Sequence, residues 1–288
     1  MPFSLIQKLT EIPFAFFDTE TTGVSTQYGD RVIELGIVRV EQGQVVREYA
    51  QLINPHRRIS PGVSALTGIC QQMVANCPTF MEQLPAAMEM LKGAILVGHN
   101  VRFDLSFLSS ELRKCGIEIE SAFPDAYVMD TLMLARKRFG RGGNGLQRLS
   151  RRLGIIPSVA HRALADAQTT HQVFDKLIAP LSGWNTMLAD ALIAQGGATR
   201  LKQKIASALP LELEEALEQK IAVMMDYLDS DDQPTRRKID PISIKRIKGE
   251  LVLLAYCHLR DAQRTFKLER IVQLKRLQDC VEDHSSPA

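Results

Sequence analysis

No stretch of this 288-residue chain approaches the roughly 20 consecutive apolar residues that a membrane-spanning helix needs. The longest apolar run near the middle, Ala94 to Gly98, has the length of a buried strand. The N-terminus carries only Lys8 before Glu11 and lacks an Ala-x-Ala-like cleavage site, so no secretory leader is expected. Paired C-x-x-C motifs are missing too. Cys70, Cys77, Cys115, Cys257 and Cys280 form an odd, scattered set, which argues against a disulfide framework or a zinc site. Internal repeats are absent. These absences point to a cytoplasmic protein with reduced thiols and no membrane partner. The length suits two domains, and the apolar and charged fractions are those of a globular protein.

Net charge is only +2, but its distribution is uneven. Arg136 to Arg152 holds seven basic residues and no acid, and Glu212 to Asp232 holds eight acids against Lys220 alone. Arg236 to Leu277 holds twelve basic residues and four acids. Two basic blocks separated by an acidic one suggest two surfaces for polyanions.

Patterning predicts strands at Phe14–Phe17, Val32–Val40, Val45–Ile53, Ile95–Val97 and Tyr127–Met129. Helices are predicted at Met81–Leu91, Phe103–Lys114, Thr131–Phe139 and His161–Leu177, the last ended by Pro180. The four glycines of Gly140 to Gly145 predict a flexible loop. Hairpin strands followed by alternating β and α elements predict an α/β fold with a mixed sheet over residues 1–180. Residues 181–210 read as a linker with some helix. Residues 211–288 read as a small β-rich domain, with a helix at Glu212–Met224 and strands at Val223–Leu228, Leu251–Tyr256 and Arg264–Val272.

Three short motifs carry chemistry. In Phe17-Asp18-Thr19-Glu20-Thr21-Thr22-Gly23, Asp18 and Glu20 lie two apart at a strand end, so both side chains can share a face. Two facing carboxylates repel unless a cation sits between them. Alone, such a pair is more often a solvated acidic turn. In Val97-Gly98-His99-Asn100-Val101-Arg102-Phe103-Asp104 a strand runs into a helix, and Asp104 falls in its first turn, where the dipole alone favours an acid. In His161-Arg162-Ala163-Leu164-Ala165-Asp166, His161 has the side-chain type for general-base work near neutral pH. Asp125 and Asp130 are further acids nearby; Asp130 reads as a helix cap.

In order, spacing and context, the three motifs resemble the DEDDh family of 3′–5′ exonucleases, over about Phe14 to Leu177. The segment Pro61 to Ile69 is similar to that family's contact with the 3′ terminus. The resemblance implies a ribonuclease H-like core and two Mg²⁺ ions, replaceable by Mn²⁺. It implies metal ligands Asp18, Glu20, Asp104 and Asp166, with His161 as general base. Asp18 would bridge both ions, Glu20 and Asp166 would complete one site, and Asp104 would hold the other. Thr21 and Thr22 are candidates for positioning the terminal nucleotide, Leu66 for an apolar wedge, and Asn100 and Phe103 for sugar or base contacts. The implied reaction releases nucleoside 5′-monophosphates from DNA 3′ ends, single-stranded or frayed. RNA trimming is the alternative substrate, and a nucleic-acid- or ligand-binding regulator the alternative class.

The C-terminal runs Thr235 to Pro241, Leu253 to Cys257 and Arg264 to Ile271 resemble a WYL domain, an Sm-like β-barrel that implies a nucleic-acid or nucleotide-like ligand. Leu251-Val252-Leu253 stands where that family has its name-giving residues. Arg237, Arg264 and Arg270 match basic positions of the pattern and are candidate phosphate contacts.

Overall fold

The computed structural model describes residues 3–124, 126–156, 161–197, 199–201, 209–229, 233–247 and 250–277. Two sheets organise it. The first contains β1 (Phe14–Thr21), β2 (Val32–Glu41), β3 (Gln44–Leu52), β4 (Ile95–Gly98), β5 (Tyr127–Asp130) and β6 (Thr199–Arg200), in the order β3-β2-β1-β4-β5-β6. β1, β4 and β5 run parallel, and the other pairings are antiparallel. Helices α1 (Pro61–Thr67), α2 (Gln71–Val74), α3 (Phe80–Leu91), α4 (Val101–Lys114), α5 (Ile119–Ala122), α6 (Thr131–Phe139), α7 (Leu146–Arg152), α8 (Ala163–Ile178) and α9 (Leu188–Gln195) accompany it.

Alternation along β1 divides the core. Ala15 and Phe17 join Met88, Leu91, Leu105 and Phe107 of α3 and α4. Phe14 and Phe16 join Leu134, Phe174, Leu188 and Leu192 of α6, α8 and α9. With helices on both faces, β4 and β5 are buried throughout. This is a ribonuclease H-like mixed sheet.

The second unit is α10 (Leu211–Gln219) on an antiparallel sheet of β7 (Val223–Leu228), β8 (Pro234–Ile247), β9 (Glu250–Cys257), β10 (Ala262–Lys267) and β11 (Ile271–Arg276). Their order is β10-β9-β8-β7-β11, and no ladder joins β10 to β11 among the described residues. The expected β-rich domain is thus a five-stranded antiparallel sheet packed around Leu213, Met225, Ile239, Leu253 and Phe266.

Several expected boundaries are corrected. The helix expected to Met224 stops at Gln219, because Lys220 turns left-handed (φ 53°) and Val223, Met225 and Tyr227 then bury alternate side chains as a strand. The strand expected over Arg264–Val272 is two strands at opposite edges, joined by the 3₁₀ turn Leu268–Arg270. The expected linker largely belongs to the first unit. Trp184 packs edge-on to Phe14 at 5.1 Å, and β6 adds an edge strand to β5. The Gln195 amide accepts from Asp130 N at 3.0 Å and donates to Val128 O at 3.2 Å. Residues 202–208 of that stretch lie outside the described residues, as does Asp125.

The two units dock at several points. Val272 of β11 sits in an apolar cluster with Ile33, Ile59, Val63, Ile69 and Val74. A Cβ on Gly62 would fall 2.0 Å from Val272, so α1 lies flush against β11. The Tyr28 hydroxyl donates to Leu251 O at 2.8 Å. The glycine-rich loop, expected to be flexible, is pinned: Asn144 is fully buried, its amide donates to Gly140 O at 2.8 Å, and a Cβ on Gly142 would meet the Gln219 amide at 2.8 Å.

Candidate active site

The site forms where β1 and β4 end, the usual crevice of a parallel sheet. Asp18 and Glu20 follow Phe14 and Phe16 on the strand face towards α8. Thr19, between them, faces the other way. Its backbone N–H and hydroxyl donate to Asp104 Oδ1 at 2.9 and 2.7 Å, which draws the first turn of α4 to the strand end. Asn100 opens α4 in a left-handed conformation, held by its N–H on Asp130 Oδ1 at 3.0 Å. Asp130 also caps α6 through Leu132 N at 2.9 Å, as its sequence context suggests.

Asp166 lies in the first turn of α8. Its Oδ1 accepts from Gln147 Nε2 at 2.8 Å and its Oδ2 from His161 N at 3.0 Å. The helix expected to start at His161 starts at Ala163 instead, and His161 sits in a left-handed turn (φ 59°) two residues before α8 begins. That turn is held by Glu34 of β2, which pairs with Arg162 at 2.7 Å and accepts from Ala163 N at 2.9 Å. Close packing completes the arrangement. Gly36, the register partner of Asp18, lies so near α8 that a Cβ would stand 2.2 Å from the Ala163 carbonyl carbon and Leu164 N.

Electrostatics record the crowding. Burial, then the charges of Asp104, Asp166, Glu20 and Glu34, raises the Asp18 carboxyl well above the usual range. Burial, then Asp166, Glu34 and Asp104, does the same to Glu20 against the opposing charge of Arg162. Asp104 and Asp166 are each pushed up to about 7, mainly by burial and against their own hydrogen bonds. Burial, then Lys275, lowers the His161 imidazole, which favours its neutral form. Glu20, His161 and Asp166 each bring one ligand atom within 4.8 Å of the others. Asp18 and Asp104 stand outside that trio but share its field. Hard oxygen donors with excess negative charge fit divalent cations.

A stability prediction follows. Asp104 and Asp166 titrate higher folded than unfolded, so below about pH 4 their contribution is fully present, and it is lost as pH rises to about 7. In EDTA the melting temperature should fall between pH 5 and pH 8 by roughly 10 °C, given ~2–4 °C per kcal/mol at this size. Divalent cation at pH 8 should recover most of the loss. A melting temperature flat with pH in EDTA, measured by calorimetry, would contradict the crowding.

The other candidates are placed less simply. The Thr21 hydroxyl donates to Gly23 O at 2.6 Å. Thr22 is buried; its hydroxyl donates to Asp30 Oδ1 at 3.1 Å and accepts from Arg31 N at 3.1 Å. Both threonines therefore shape the loop after β1, leaving little hydroxyl capacity for a ligand. Leu66 is half-buried on α1, and Phe103 is half-buried against Phe107, with ring centroids 5.0 Å apart. On the second sheet Arg237 lies over Tyr227 and Phe266 at 5.7 and 5.8 Å. Arg270 donates to Asp229 O at 2.7 Å, and Arg264 is exposed.

Sequence reasoning missed Thr19, Glu34, Gly36, Gln147 and Arg162. Glu34 alone left a readable signal: an acid inside the apolar run Val32 to Val38 needs a buried partner.

Comparison with known proteins agrees with this geometry. The Exonuclease family (RNase_T) matches residues 15–174, and the WYL domain family matches residues 209–276. The 3′–5′ exonuclease DinG of Bacillus subtilis is 37% identical over 169 residues, 58% of this chain. The chain spans only 18% of that relative's length. The DNA polymerase III subunit epsilon of Treponema pallidum is 36% identical over 171 residues, covering 58% of this chain and 77% of that one. The solved structure of exonuclease I superposes with a TM-score of 0.53 at 15% identity, over 94% of this chain and 69% of the other, a likeness of fold. No helix among the described residues is long and apolar enough to cross a membrane. The acids gathered at the end of β1 thus lie within a matched nuclease fold, and the chain belongs to the RNase T exonuclease family, with DEDDh-type 3′–5′ exonucleases as homologues and a WYL domain at its C-terminus.

Proposed function

We propose that the chain removes nucleotides from the 3′ ends of DNA, single-stranded or frayed, as nucleoside 5′-monophosphates. The observation that carries this reading is the convergence of Asp18, Glu20, Asp104 and Asp166 in one field of like charge, which Arg162 opposes at Glu20. Asp18, Glu20, Asp104 and Asp166 would hold divalent cations, Mg²⁺ with Mn²⁺ as substitute, which when bound would neutralise charge on the scissile phosphate and polarise it. His161, half-buried and shifted towards its neutral form, takes a proton from water. The water oxygen bonds to phosphorus as the bond to the 3′ oxygen of the penultimate sugar breaks, and that oxygen leaves with a proton from solvent. Glu34 and Arg162 keep the His161 turn in place. Asn100, Phe103 and Leu66 are proposed contacts for the last nucleotide, with the backbone around Thr21 and Thr22 as its proposed seat. Arg237, Arg264 and Arg270 are proposed contacts for nucleic acid or a nucleotide-like ligand on the WYL domain. DNA is favoured because DNA polymerase III epsilon is among the relatives.

The test uses 5′-labelled DNA and RNA oligonucleotides with and without Mg²⁺ or Mn²⁺. The expected result is a metal-dependent ladder shortening from the 3′ end, faster on single-stranded DNA. Absence of shortening with either metal, or label released first as a mononucleotide, would refute it.

A further inference from the structure

A cavity of about 500 Å³ opens between the two units. That volume lies in the range of small-ligand sites. Its walls are Arg141, Gly142, Gly143 and Arg148 from the nuclease side and Gln219, Ile221, Ala222, Arg276 and Leu277 from the WYL side. Three arginines face one space, and no acid is among the described lining residues. Two of the lining arginines have acidic partners. Glu218 reaches Arg141 at 3.4 Å, and Glu215 reaches Arg276 at 3.4 Å and Arg136 at 4.0 Å.

The buried donors there are not all used. Arg276 donates through Nη2 to Gln219 Oε1 at 2.7 Å, yet Arg276 Nε and Gln219 Nε2 are buried without a protein acceptor. Arg136, which does not line the cavity, has its Nη2 4.0 Å from Glu215 Oε1 with no hydrogen bond between them. Buried N–H groups are rarely left so, and two of them on residues that line one cavity with three arginines describe a seat for an acceptor-rich anion. The glycines complete it. Gly142 (φ 95°) and Gly143 (φ 69°) bring bare backbone to the cleft, and a Cβ on Gly142 would collide with the Gln219 amide.

We propose that this interdomain cleft, through Arg141, Arg148 and Arg276, binds a phosphate-bearing ligand. Two sources share that chemistry: the backbone of the strand being degraded, and a free phosphorylated molecule. Position allows the first. Arg148 follows Gln147, whose amide holds Asp166 of α8, so α7 borders the cleft and touches one of the catalytic acids. Lys275, beside Arg276 on β11, is close enough to act on His161. The strand source rests on the proposed exonuclease reading; the free-anion source does not.

The experiment compares the full chain with Arg141→Gln/Arg148→Gln and with Arg276→Lys, in EDTA so that nothing is cleaved. Probes are 5′-fluorescein-labelled dT₁₂, followed by anisotropy, and inorganic pyrophosphate, followed by thermal shift. The double variant is expected to weaken at least one probe about tenfold. If the strand occupies the cleft, dT₁₂ weakens and its salt slope drops by roughly 1.4, at ~0.7 per phosphate contact. If a free anion does, the pyrophosphate shift is lost and dT₁₂ is unchanged. Loss of both also supports the site. Changes below about threefold for both probes, or no binding of either to the unaltered chain, overturn the proposal. Arg276→Lys tests the WYL side; should it unfold, the double variant decides alone, because Arg141 is exposed. Metal-dependent hydrolysis of the p-nitrophenyl ester of thymidine 5′-phosphate, which carries a single nucleotide and no further strand, should persist in the double variant. Its absence from the unaltered chain would count against the nuclease reading and leave the pyrophosphate arm standing.

Discussion

Asp18→Asn should slow nucleotide release from single-stranded DNA by about 10³-fold or more, while the metal-free protein melts higher at pH 8 than the unaltered chain. Both effects have one cause. Asp18 carries the largest set of repelling neighbours, with Asp104, Asp166, Glu20 and Glu34 all acting on it. Removing its charge takes a ligand from the cation site. Loss of several kcal/mol of charge stabilisation, about 4 kcal/mol, corresponds to about 10³ in rate. The same change relieves a buried repulsion that the metal-free fold has to tolerate. The stabilisation on adding Mg²⁺ should therefore shrink in the variant. Initial rates with Mg²⁺ and paired melting curves in EDTA test both halves. An Asp18→Asn protein that retains rate within tenfold, or melts lower without metal, would show that the acids do not act as a cation site.

His161→Gln should cost roughly 10²–10⁴ in kcat, the usual worth of a positioned general base, and leave cation binding intact. The second clause discriminates, because His161 also lies within ligand reach of Glu20 and Asp166. A ligand role would weaken the Mg²⁺-dependent melting shift together with the rate. A base role would not. The pH profile adds a signature with a definite sign. Burial and Lys275 hold the imidazole below its ordinary value, so it stays neutral at pH 7 and protonates only in more acid solution. In the unaltered enzyme the corresponding fall in kcat lies on the acid side of about pH 6.5. His161→Gln should remove that limb. A variant whose cation affinity drops in step with its rate would move His161 from base to ligand.

The chemistry of the site was more legible than its support. Asp18, Glu20, Asp104, His161 and Asp166 stand in three short motifs whose strand and helix contexts follow from local patterning, and the fold brings them into one field. Glu34 and Arg162 are 128 residues apart, and nothing local pairs them. The ends of elements were read less well for equally physical reasons. Acidic and helix-favouring residues run up to Lys220, but the left-handed turn there and the buried alternation of β7 end α10 sooner. Leu181 to Leu209 carries too short an apolar pattern to announce a packed helix. Yet Trp184, Leu188 and Leu192 fill the core beneath β1. The WYL side is legible as a β-rich unit, whereas its seat on α1 depends on Gly62 and Val272, which mean nothing until the units meet.

Gly36 offers no functional group, yet it behaves as a spacer of fixed gauge. β2 and α8 touch there backbone to backbone, and the acids borne by the strand and the helix are separated by whatever that contact allows. A methyl group would act as a shim, lifting His161 and Asp166 together off Asp18 and Glu20 without altering any ionisable residue. A nuclease of this kind can therefore keep every charged residue of its centre and still be silenced by the addition of one carbon.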